Sequence, residues 1–254
     1  MEVIKLGTIL TLGIIGAFII FGFIIEGLNR LSRKSIYKAF GKPVLYLTCF
    51  IGTPVHEFGH YIMCKLFLHR VIEVKWFIPS AVECGGVLGY VRHSRKNSLY
   101  QRIGDFFIGI GPLIVGSIII IALFNLLLPD TWELLIKMDG LELKEVFKAI
   151  FSAYNMKNYK FWLFIVFSIS ISSHMSLSKM DIENSYFGAI MLFIINMIIA
   201  FNIINLNLNT DGIFKVLYNY NLVCITLMSV GVISIILAIT ISNVVLGIKH
   251  LVRI

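Results

Sequence analysis

The chain has 254 residues, 58% of them hydrophobic and only 14% charged, against about 25% charged in soluble domains. Its net charge of +8 would suit nucleic acid. The basic residues, however, sit in short stretches between apolar runs, where Lys and Arg set membrane orientation, so no nucleic-acid partner is expected and a lipid bilayer is the solvent for most of the chain.

In chain order, Met1 to Leu28 has a weakly charged start and a long apolar run without a small-residue cleavage site, which predicts a retained span rather than a removed signal peptide. A helix crosses a bilayer with about 20 apolar residues, and that rule predicts spans near 6–28, 103–128, 186–208 and 221–248. Residues 43–68 are long enough to cross but contain Gly52-Thr53-Pro54 and then charged residues, which predicts a broken or kinked helix. After it, Val71 to Ile78 is β-branched and aromatic, Pro79-Ser80 and Gly85-Gly86 punctuate the chain, and Val87 to Val91 follows, a pattern that predicts a small β-hairpin. Leu141 to Phe151 has the composition of an amphipathic interfacial helix, and 161–175 is apolar but short. The fold class is therefore an all-α polytopic membrane protein of about five to six transmembrane segments, in a single domain over 1–254. Cys49, Cys64, Cys84 and Cys224 include no C-x-x-C pair, so neither a disulfide framework nor a thiolate metal site is expected.

His56-Glu57-Phe58-Gly59-His60 lies inside the 43–68 segment. On a helix its two histidines fall at i and i+4 on one face, so both imidazoles can bind one zinc while Glu57 reaches a metal-bound water. Ionisable groups are costly in an apolar span unless they have partners, which favours a metal site over a packing role. A catalytic zinc usually takes three protein ligands and leaves a position open. Asp211, an isolated acid before Gly212 and after an apolar span, is one candidate for the third ligand. His174 and Asp181, which precede another apolar span, are the alternatives. Ser178-x-x-Asp181 also fits a helix-capping pattern, and Asp211-Gly212 fits an ordinary turn.

The HEFGH motif, followed much later by an Asn-rich run and Asp-Gly, resembles the site-2 protease family of membrane-embedded zinc metalloproteases. The resemblance implies His56 and His60 as ligands to Zn2+, Glu57 as the catalytic glutamate and Asp211 as the third ligand. Gly111-Pro112 resembles a further family feature, and Asn202 and Asn205 resemble the asparagines before the family's aspartate, which implies a substrate-binding role for them. The chain departs from the family in lacking a proline before Asp-Gly and in lacking a PDZ-like insertion. The expected activity is zinc endopeptidase cleavage within or near transmembrane segments of a membrane-protein or peptide-precursor substrate. A bacterial cytoplasmic membrane is the expected location. A metal-binding transporter and an inactive membrane scaffold are the alternative readings.

Basic residues flank 43–68 on both sides, so the positive-inside rule cannot be met at both ends if that segment crosses fully. A full crossing at 161–175 would put Asp211 on the wrong face. A partial segment is therefore expected there, unless Asp181 is the ligand.

Overall fold

The structure is a computed structural model that describes residues 1–84, 86–136 and 148–251. Among the described residues, four helices are long and apolar enough to cross a membrane. The first, α1 (Glu2–Leu66), is too long for one crossing and contains one non-helical residue, Gly41, at φ +76° and ψ −168°. Only glycine adopts that backbone without a steric penalty, and Pro43 disfavours helix at the residue before it. The break therefore falls at Gly41 and not at Gly52-Thr53-Pro54, where the sequence predicts it: the helix runs on through Pro54.

The two limbs of α1 run in opposite directions. Along the first limb, Gly7, Gly22 and Asn29 meet Met197, Leu177 and Ser172 in turn, so it is antiparallel to the later chain. Along the second, Gly52 meets Ser170 and His174, and Gly59 meets Gly111 and Pro112.

Next come β1 (Arg70–Lys75), α2 (Pro79–Cys84) and β2 (Tyr90–Ser94). The strands pair antiparallel, with a register shift between Val71 and Glu73. This is the expected hairpin, except that a short helix sits between its strands. Its root is tied to α1 and to α3 (Leu99–Leu127) by Gln101, whose side chain donates to the Leu68 carbonyl at 2.6 Å and accepts from the Lys96 N–H at 2.8 Å. Those bonds offset the cost of Leu68's positive φ of 58°.

Two short helices, α4 (Pro129–Ile136) and α5 (Ala153–Met156), follow; then come α6 (Tyr159–Ser172), α7 (Lys179–Asn205) and α8 (Asp211–Leu251). Most of the predicted amphipathic helix at 141–151 lies outside the described residues. At 14 residues, α6 is about 21 Å long, short of a hydrocarbon core of roughly 30 Å. It nonetheless does not turn back. Phe164 packs on Phe124 of α3 and Met175 on Gly116; Asp181 lies against Gly109, and Gly188 against Phe106 and Arg102. Thus α6 and α7 run the same way along α3, as one passage interrupted at Ser173–Ser178.

The core joins the first limb of α1 to α3, α6 and α8 through Ile25, Leu113, Ile120, Phe161, Met228 and Ile235, all almost fully buried, with the half-buried Ile51 and Val55 of the second limb packed against it. Helices in lipid gain little from the hydrophobic effect between them and rely on close packing at small residues. Gly59 shows how close: a Cβ there would lie 2.7 Å from Pro112 Cα.

Candidate metal centre

His56, Glu57 and His60 sit on the second limb of α1, and the break between α6 and α7 packs against them. His56, His60 and Asp181 place one ligand atom each within 4.8 Å of one another. His56 Nε2 and His60 Nε2 are 3.0 Å apart, and the Asp181 carboxylate lies 3.3 Å from His60 Nε2 and 4.0 Å from His56 Nε2.

Backbone carbonyls fix the tautomers. His56 Nδ1 donates to the His174 carbonyl at 2.6 Å, and His60 Nδ1 donates to the Ile108 carbonyl at 2.8 Å. A carbonyl oxygen only accepts, so both Nδ1 atoms carry the proton, and in the neutral rings both Nε2 atoms present lone pairs toward a carboxylate. Two such pairs and an anion facing one another repel unless a cation stands among them. The set of two imidazoles and one carboxylate fits a zinc of the three-ligand type, for which neighbouring ligand atoms stand about 3.3 Å apart in tetrahedral geometry.

Asp181 is held for this place by its own helix. It is the N3 residue of a capping box in which Ser178 N–H donates to Asp181 Oδ2 at 2.8 Å and Asp181 N–H donates to Ser178 Oγ at 3.1 Å. The capping pattern legible in the sequence is thus real, and it orients the carboxylate rather than accounting for it in full.

Asp211 is not at the centre. It is exposed in the first turn of α8, where its N–H donates to Asn209 Oδ1 at 2.8 Å, as in an ordinary turn. Asn202 and Asn205 are exposed near the end of α7, and Asn202 donates to the Ile198 carbonyl. Asn202 is 21 residues beyond Asp181 on that helix, roughly 30 Å along its axis at 1.5 Å per residue, so it stands far along α7 from the histidines. Turn and ligand share one local pattern at Asp-Gly, and here Asp211 takes the turn's place in the fold.

His174 takes part through its backbone. Its side-chain Nδ1 donates to the Ser170 carbonyl at 3.0 Å, and its Nε2 is buried without a partner.

Glu57 is 6% exposed. The strand-connecting segment crosses it at Gly89, where a Cβ would stand 2.8 Å from Glu57 Cγ and 3.0 Å from Thr53 Cγ2. The same segment lies along α1, with Phe77 packed edge-on to Tyr46 and Phe50, and Trp76 against Phe58 and Tyr61. At the hairpin's root, His69 Nε2 donates to the Gln101 carbonyl at 2.9 Å and its Nδ1 is 3.0 Å from His93 Nδ1. Burial, then the neighbouring His69, pushes His93 down to about 4. Gly89 and the two carbonyls were not legible as site elements, although Pro112 and Gly52-Thr53-Pro54 marked the neighbourhood.

Compared with family models, with curated proteins and with solved structures, the chain finds no match.

Proposed function

We propose that this protein is an intramembrane zinc metalloprotease of the site-2 protease type, with His56, His60 and Asp181 as metal ligands and Glu57 as general base. The observation that carries the reading is the convergence of two Nε2 lone pairs and the Asp181 carboxylate beside a buried glutamate, on helices apolar enough to cross a membrane. In this reading the chain crosses five times: the two limbs of α1, then α3, then α6 with α7 as one broken span, then α8. The ligands meet where that fourth span is broken, because a carboxylate and free carbonyls at membrane depth are tolerated only when buried in protein.

A zinc held there supplies Lewis acidity toward a scissile carbonyl and toward water. The chain's own groups do the rest. His56 and His60 are held in one tautomer by the carbonyls of His174 and Ile108, and Asp181 offsets the cation's charge. Glu57 takes a proton from the attacking water and passes it to the leaving amine. Substrates are transmembrane segments of proteins or peptide precursors that unwind to expose a carbonyl. The segment over Glu57 at Gly86–Gly89 moves or pairs with them on entry.

The test is cleavage of single-span substrates in proteoliposomes by wild type, by Glu57→Gln and by chelator-treated protein. Loss of cleavage in the last two supports the proposal. Retained cleavage in Glu57→Gln removes it, as does a wild-type protein that binds zinc and transports it with no proteolysis.

A further inference from the structure

We propose that Pro112 is a positioning residue for the metal centre: lacking an N–H, it frees the Ile108 carbonyl to hold His60 in its metal-ready tautomer. The inference rests on the metal reading above and concerns how the chain prepares one ligand.

In an α-helix the carbonyl of residue i accepts from the N–H of residue i+4, so position 112 should serve Ile108. Proline has no such hydrogen, and its ring crowds the carbonyl of residue i−4, tilting it off the helix axis. Pro112 lies inside α3, almost fully buried. The carbonyl four residues before it is the one that accepts from His60 Nδ1, at 2.8 Å. A carbonyl has two lone pairs, so an N–H at 112 would not forbid the histidine bond. It would instead draw the oxygen back along the axis and share its electron density.

The close approach that makes the bond possible is present too. Gly59, the residue before His60, packs on the backbone of Gly111 and Pro112.

The other ligand is held by an independent device with the same logic. The His174 carbonyl would accept from the Ser178 N–H if α6 continued, but that N–H donates to Asp181 Oδ2 at 2.8 Å, and the carbonyl accepts from His56 Nδ1 instead. Each histidine is thus oriented by a backbone oxygen released from helical bonding, once by a missing donor and once by a diverted one.

The experiment measures zinc affinity of the purified full-length protein in detergent by competition with a chromophoric chelator. Pro112→Ala restores the N–H, and the expected result is a zinc affinity about 10–100-fold weaker, the usual effect of removing an outer-shell partner. A second variant places lactic acid at 112 by nonsense suppression. It keeps the alanine side chain but replaces the N–H with an ester oxygen, and it should recover most of the lost affinity. Wild-type affinity in Pro112→Ala overturns the inference, and so does an equal loss in the alanine and lactic-acid variants, which would assign the effect to shape. A wild-type protein that binds no zinc fails the metal reading itself, an outcome distinct from both.

Discussion

Asp181 lies 3.3 Å from His60, joining the start of α7 to the motif limb of α1 across the break in a span. This carboxylate, 121 residues beyond the motif's second histidine, joins the two imidazoles in a cluster that could hold a metal ion, so under the proposed function substitutions at the two candidate aspartates should part company. Asp181→Ala removes a ligand and a compensating charge, and zinc affinity should fall by more than the roughly 100-fold upper end of outer-shell effects. Asp211→Ala should leave zinc content near one per chain. Metal analysis of both purified variants decides it, and the reverse pattern would restore Asp211 as the ligand.

Replacing Glu57 with Gln keeps the size of the side chain and removes the base. Zinc content and thermal stability should hold while cleavage falls about 10²–10⁴-fold, the usual contribution of a general base. Turnover of a reporter span, measured alongside metal content, separates a lost base from a lost site.

Gly52 carries α6 against the motif limb: a Cβ there would collide with the Ser170 carbonyl and the His174 ring. Gly52→Ala should cost roughly 1–3 kcal/mol, as overpacking does, and should also weaken zinc by displacing the carbonyl that holds His56. Gly27 has nothing within 4 Å of a built Cβ, so Gly27→Ala should be neutral or stabilising by up to about 1 kcal/mol from helix propensity. Unfolding in a mild detergent compares the two.

The hairpin's root should loosen in acid. His93 is held neutral, at about 4 against an ordinary 6.5, by burial and by the neighbouring His69, His60 and Arg95, with Asp105 held by Arg95 at 2.8 Å. The unfolded segment therefore binds more protons between those values, and its stability falls as pH drops from 6.5 toward 4. Hydrogen exchange at Tyr90–Ser94 should quicken over that window in wild type and much less in His93→Phe; an exchange rate independent of pH after correction for intrinsic chemistry would refute it.

Much of the architecture is legible in the sequence, because apolar length and β-branched runs are local signals that a bilayer reads almost one residue at a time. The long apolar helices, the hairpin after the motif and the pairing of His56 with His60 are of this kind, since a spacing of four on a helix puts two side chains together whatever the rest of the chain does. Ser178-x-x-Asp181 is equally local, and the capping box forms as written.

The third partner was beyond local reading. Asp181 and Asp211 both open helices that follow or begin apolar spans, and only the course of α6 and α7 along α3 brings one to the histidines and leaves the other exposed at the start of α8. The break at Gly41 in place of Pro54 has a local cause instead. A proline removes one helical hydrogen bond, a cost that neighbouring helices can offset, whereas a backbone at positive φ redirects the chain. Spacing along the chain chose the chemistry of the two histidines; the choice of carboxylate, and of the carbonyls that hold both rings, came from packing between helices far apart in sequence, which no local pattern encodes.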